Sequence, residues 1–250
     1  MKTKLLTACA VLALSAGVVF AAPALFSDGF NNLPTSHWMR GRDVITTPFG
    51  ARDFTWFDDF FRYQPTSGVD WVITEINDST QALGDANGGT LVLTTLTAEN
   101  DAASLQSVGE VFDVIVGKKM YFESRFKIGD ATQSDFVMGL QVRDTTPLAV
   151  SAGVFFQKDD GDALLDFHSM SASVDTTTSG IYTVVDDTFL KVAWYWDGVS
   201  TFTYAVDDVI KGTLTATPST TEMTVSFAVH AGSAAADVMT IDFINVWRER

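Results

Sequence analysis

From residue 91 onward the chain alternates short runs of Val, Ile, Phe, Thr, Tyr and Trp with clusters of Gly, Asp, Asn and Ser. This is the punctuation of strands and turns. In Tyr121–Ile128 the residues Phe122, Phe126 and Ile128 fall on one parity and Glu123, Arg125 and Lys127 on the other, which predicts a half-buried strand with a solvated outer face. Phe136–Val142 and Val154–Phe156 are apolar on nearly every position, as expected of strands in the middle of two stacked sheets. Leu190, Val192, Trp194 and Trp196 share a face, Asp197-Gly198 offers a tight turn, and Phe202, Tyr204 and Val206 share a face of the next run. Together they predict a hairpin. Two further strands are expected at Met223–His230 and Val238–Trp247, with Met239, Ile241, Phe243 and Trp247 of the latter pointing one way.

Two segments break this rhythm. In Asp53–Tyr63 the residues Phe54, Phe57 and Phe61 recur at helical spacing behind a capping Asp53, which predicts a short helix. Its aromatic density fits either a partner-binding patch or a plug over the open end of a sandwich. Residues 171 to 179, rich in Ser and Thr, read as a loop. The period-two pattern elsewhere predicts an all-β fold of two antiparallel sheets. The main sandwich is expected over residues 67–250, with 22–66 as an N-terminal strand and aromatic-rich extension packed on it, and 22–250 as one domain.

The N-terminus reads differently. Met1-Lys2-Thr3-Lys4 precedes an uncharged apolar run from Leu5 to Val19 and then small residues, the layout of a Sec signal peptide. Cleavage is expected between Ala21 and Ala22, so residues 1–21 would direct secretion or surface display; the other reading is an uncleaved anchor. The chain carries 31 acidic against 16 basic residues, a formal charge of −15. Loss of Lys2 and Lys4 with the leader makes it −17, which disfavours nucleic acid and anionic membrane as partners. The single cysteine, Cys9, lies in the leader, so the exported domain must be held by its core rather than by disulfides.

Candidate chemistry is sparse. His37, His168 and His230 have no metal-ligand spacing, and phosphate-loop and serine-elbow motifs are lacking. Glycoside hydrolysis needs two facing carboxylates. The densest acidic stretch, Asp159-Asp160-Gly161-Asp162, reads as a turn or a calcium-binding variant of one. Asp166 and His168, expected on one strand face just beyond it, are the acid and base pair that an enzyme would use.

The sandwich pattern, with Phe30, Trp38, Tyr121 to Phe126 and Ile241 to Val246, resembles the concanavalin A-like jelly roll of lectins, laminin-G modules and laminarinase-type hydrolases. In those hydrolases one strand carries Glu, an apolar residue, Asp, an apolar stretch and Glu. This chain has no such strand, so the resemblance implies the fold without that activity. Asp70 to Ile73, Asp85 to Gly89, Phe122 to Lys127, Ser134 to Leu140, Gly153 to Phe156 and Asp159 to Asp162 are similar to tailed-phage virion proteins with the same sandwich. The resemblance also implies a structural calcium where first and last strands meet, at Asp28 and Asp242.

The expectation is therefore a non-enzymatic surface structural or adhesion module, in a virion or on a cell envelope. Its partners would be copies of itself, other surface proteins, or polysaccharide contacted through a concave sheet. Trp38, Trp56, Trp71 and Tyr195 are the candidate sugar-stacking residues. An exported polysaccharide-acting hydrolase or lyase is the alternative.

Overall fold

The computed structural model describes residues 53–86 and 88–250. The expectations for the leader, Asp28, Phe30 and Trp38 lie outside them. The strands are β1 Asp53–Asp58, β2 Trp71–Ile76, β3 Thr80–Gly84, β4 Thr90–Thr94, β5 Ala102–Ser107, β6 Met120–Ile128, β7 Ser134–Gln141 and β8 Gly153–Lys158. They continue as β9 Leu164–Ser171, β10 Val174–Thr183, β11 Leu190–Trp196, β12 Thr201–Val206, β13 Val209–Thr215, β14 Thr224–Ala231 and β15 Val238–Glu249. Among the described residues a single 3-10 turn occupies Pro147–Ala149.

Two antiparallel sheets result. One runs β13-β12-β11-β6-β15-β4-β3, with β1 also paired to β15; the other runs β10-β9-β8-β7-β14-β5-β2. Phe122, Phe126, Trp194, Trp196 and Phe202 of the first sheet meet Phe136, Met138, Phe156, Phe167 and Phe227 of the second in one core. Full burial of side chains this size contributes about 1.5–3 kcal/mol each, so the core carries the fold without covalent help. The predicted hairpin is present as β11 and β12. Its turn is tied by the Asp197 carboxylate, which accepts the N–H groups of Val199, Ser200 and Thr201.

Four local expectations are corrected. Asp53–Asp58 is a strand, not a helix: it pairs residue for residue with β15, Asp53 opposite Glu249 through Asp58 opposite Ile244. β4 pairs only the first part of β15, Val238 to Ile241, and the vacant edge beyond it overrides a weak helical period. Residues 174–183 form edge strand β10 against β9, reached by a tight turn in which Ala172 and Ser173 adopt positive φ. β-branched Thr suits a half-exposed edge. In β15 a bulge falls between Ile241 and Phe243, so Met239, Ile241, Ile244 and Val246 enter the core while Phe243 and Trp247 take the other face. Finally, the outer face of β6 is not uniformly wet. Glu123 is buried and meets the Lys191 ammonium at 3.5 Å, which also pairs with Asp208.

Candidate functional site

An open recess lies where the end of β1, the start of β2 and the end of β5 meet. Two adjoining hollows of about 730 Å³ and about 340 Å³ share Asp58, Arg62, Gln64, Val69 and Asp70. Their shape follows from one residue. Phe60 adopts φ 52°, a left-handed conformation unusual for a bulky side chain, and its fully buried ring packs at 6.1 Å on both Trp71 and Phe227. That wedge closes the sandwich and throws its neighbours outward. Gly89 allows the β3–β4 connection to approach: at its φ of +92° an added Cβ would sit 2.6 Å from the Phe60 carbonyl oxygen.

The residues thrown outward are aromatic and acidic. Phe61 is 76% exposed and Phe57 57%, two large apolar side chains lining one recess, and it is such grouping that marks an interaction surface. Phe57 also leans on Phe243, with centroids 6.2 Å apart. Asp58 and Asp59 each accept the backbone N–H two residues on, from Phe60 at 2.8 Å and Phe61 at 3.2 Å. Burial raises the Asp58 pKa, the Phe60 N–H partly offsets this, and Asp59 and Asp70 raise it further. Tyr63 lines the same recess with its hydroxyl buried and without a hydrogen-bond partner. Its pKa is pushed up to about 12 by burial and by Glu75.

The predicted stacking residues separate here. Trp56 lines the smaller hollow and meets Trp71 edge-on at 5.9 Å and 79°. Trp71 is only 3% exposed, enclosed by Trp56, Phe60 and Phe227, so it supports the cleft and has no free ring face. Tyr195 belongs elsewhere, on the outer face of the first sheet beside Tyr121 and Trp247, where burial followed by Glu249 and Asp197 pushes its pKa up to about 12. The aromatic density of 53–63 carries the sequence signal for Phe57 and Phe61, as the partner-binding patch that segment allows, whereas Asp58, Asp59 and Asp70 were missed from sequence.

The outer face of the second sheet is roofed rather than open. The β7–β8 connection crosses it, held by Gln141 Nε2 donating to the Pro147 carbonyl at 3.0 Å and the Asp144 N–H donating to Gln106 Oε1 at 3.1 Å. Its own Leu148 and Val150 pack down on Val137, Phe155 and Ala228. At its margin His168 Nδ1 lies 2.8 Å from Asp175 Oδ2, stacked on Phe155 at 5.0 Å. Asp166 accepts the Gly180 N–H at 2.7 Å. The expected acid and base therefore each have a structural partner. The acidic stretch 159–162 is the β8–β9 turn, with Gly161 at φ +89°.

Asp242 is paired with Arg125 at 2.5 Å, and Arg125 lies over the Phe189 ring at 4.1 Å. Among the described residues no group of three or more His, Cys, Asp or Glu is arranged to hold a metal ion. A cation at Asp242 would have to displace the guanidinium.

No protein-family model and no curated protein matches the chain. Solved structures do resemble it. An endo-1,3-beta-glucanase from Streptomyces sioyaensis aligns with a TM-score of 0.57 at 14% identity, over 80% of this chain and 97% of its own. Peanut lectin aligns with a TM-score of 0.53 at 16% identity, over 79% and 98%. An endo-beta-1,4-glucuronan lyase from the fungus Trichoderma reesei gives 0.52 at 11%, over 76% and 94%. At such identities the likeness establishes the fold, a concanavalin A-like lectin and glucanase sandwich, and that fold hosts binding proteins and enzymes alike.

Proposed function

We propose that this lectin- and glucanase-like sandwich is a non-catalytic, surface-displayed module that binds glycan in the cleft between the end of β1 and residues 59–70. The observation that carries the reading is the pairing of two exposed rings, Phe57 and Phe61, with the carboxylates of Asp58, Asp59 and Asp70 around one recess. An aromatic face accommodates the apolar side of a sugar ring, and carboxylates accept its hydroxyls. Binding rather than turnover is favoured because Asp58 and Asp59 already serve their own backbone. In addition, the alternate residues of β8 on the roofed face, Gly153, Phe155 and Gln157, include no carboxylate.

Display on an envelope or in a virion, with or without removal of residues 1–21, is part of the same proposal. The intact mass of the native protein tests it. The glycan reading is tested by titrating a panel of oligosaccharides into the full chain and into Phe61→Ala. Loss of one stacking ring lowers affinity about tenfold or more, while the melting temperature stays put because the ring is exposed. Equal affinity in the two proteins would reject the cleft. The enzyme reading draws on the raised pKa of Asp58; release of reducing ends that Asp58→Asn abolishes would replace the binding proposal with it.

A further inference from the structure

The cleft is electrostatically one-sided. Asp58, Asp59 and Asp70 line it together with Arg62, the single cation among its described lining residues. Arg62 forms no ion pair with another described residue, and neither do the three carboxylates; the ion pairs of the described residues lie elsewhere. Asp58 is half-buried with two carboxylates near enough to oppose its ionisation, and among the described residues no cation pairs with it. The rings beside it, Phe57 and Phe61, present the electron-rich faces that attract cations as well as apolar surface. The chain as a whole carries 31 acidic and 16 basic residues, and a field of that sign repels polyanionic chains and concentrates cationic ones at a recess.

Resting on the glycan-binding reading, we infer that the ligand is an amino-sugar oligomer bearing free ammonium groups, seated with its rings on Phe57 and Phe61 and its ammonium groups against Asp58 and Asp70. A neutral glycan would leave the three carboxylates of the recess with Arg62 as the one cation among its described lining residues. A polyuronate would add to their charge. The ammonium of a glucosamine unit both neutralises the cluster and, through its own C–H face, uses the rings.

The test uses the full chain and three hexasaccharides of matched linkage: β-1,4-glucosamine, its N-acetylated counterpart and β-1,4-glucose. Calorimetric titration at about pH 5.5 keeps amines protonated and ordinary carboxylates ionised. Glucosamine hexamer is expected to bind at least about tenfold more tightly than the other two, with the preference shrinking between about 0.05 and 0.5 M salt as screening shortens. Asp58→Asn with Asp70→Asn removes the preference and leaves residual binding, because the amide introduced by Asp58→Asn keeps an oxygen that accepts the Phe60 N–H. Phe61→Ala weakens every sugar. Equal binding of all three hexamers overturns the inference and leaves the glycan reading standing; binding of none overturns both. Preferential glucosamine binding that survives the double substitution overturns the placement in this cleft.

Discussion

Asp237 lies in the β14–β15 connection, only 2% exposed, with Oδ2 lacking a hydrogen-bond partner. It is fixed by its backbone: its N–H donates to Thr95 Oγ1 at 2.8 Å and its carbonyl accepts the Thr95 N–H at 3.0 Å. Burial raises its pKa, Asp130 adds to this, Lys158 and the Gly232 N–H oppose, and Asp135 raises it again, leaving it at about 6 against an ordinary 3.8. Lys158 is itself buried, donating its ammonium to the Ser134 carbonyl, and its own pKa is lowered by burial against the pull of Asp135, Asp162, Asp160 and Asp237. A carboxyl whose folded pKa exceeds its unfolded one binds more protons folded than unfolded. Its contribution is therefore full below about pH 4 and lost as pH rises through about 6. A shift of about two units corresponds to about 3 kcal/mol, or about 6–12 °C in melting temperature for a domain of this size. Asp237→Asn keeps the oxygen facing Gly232 and removes the charge. Tryptophan-monitored urea unfolding should find the variant equal to the parent near pH 4 and more stable by about 2–3 kcal/mol at pH 7.5. A difference constant from about pH 4 to 8 would refute the reasoning.

Lys191→Met leaves buried Glu123 without its ammonium partner and should cost about 3 kcal/mol in urea unfolding, much of it restored by adding Glu123→Gln; an additive double variant would count against the pair. Gly139→Ala places a methyl 2.5 Å from Phe155 Cα, and a loss above about 2 kcal/mol is expected, read as a lower melting temperature, whereas an unchanged melt would mean the β7–β8 pair yields easily. Excess chelator should leave the melting temperature unchanged because Arg125 already neutralises Asp242; a fall would establish that a bound cation stabilises the protein.

The architecture was legible because core burial repeats with the strand period. Leu190 to Trp196 and Phe202 to Val206 could satisfy their apolar faces only as paired strands, and the turn residues between them allowed a hairpin. The same logic failed wherever one residue changed the count. Asp242 at the bulge reverses the parity of β15, and no local signal marks it, since the insertion is set by how β15 meets β6. Asp53–Asp58 carries a helical period in its phenylalanines, yet an unpaired edge of β15 offers a full ladder of backbone hydrogen bonds, which outweighs a propensity of tenths of a kcal/mol per residue.

By itself the sequence determined an acidic, disulfide-free, all-β sandwich and pointed to aromatic residues near the N-terminal side of it, because composition and periodicity are local properties. The tertiary structure alone decided which aromatics are available. Trp71 became a wall and Phe61 a surface because Phe60 turns inward at a left-handed backbone position. The cleft itself joins β1, β2 and the residues after β5, segments that meet only when both sheets have closed. A site of that kind is written in distances across the core, and the chain carries no local period from which to read them.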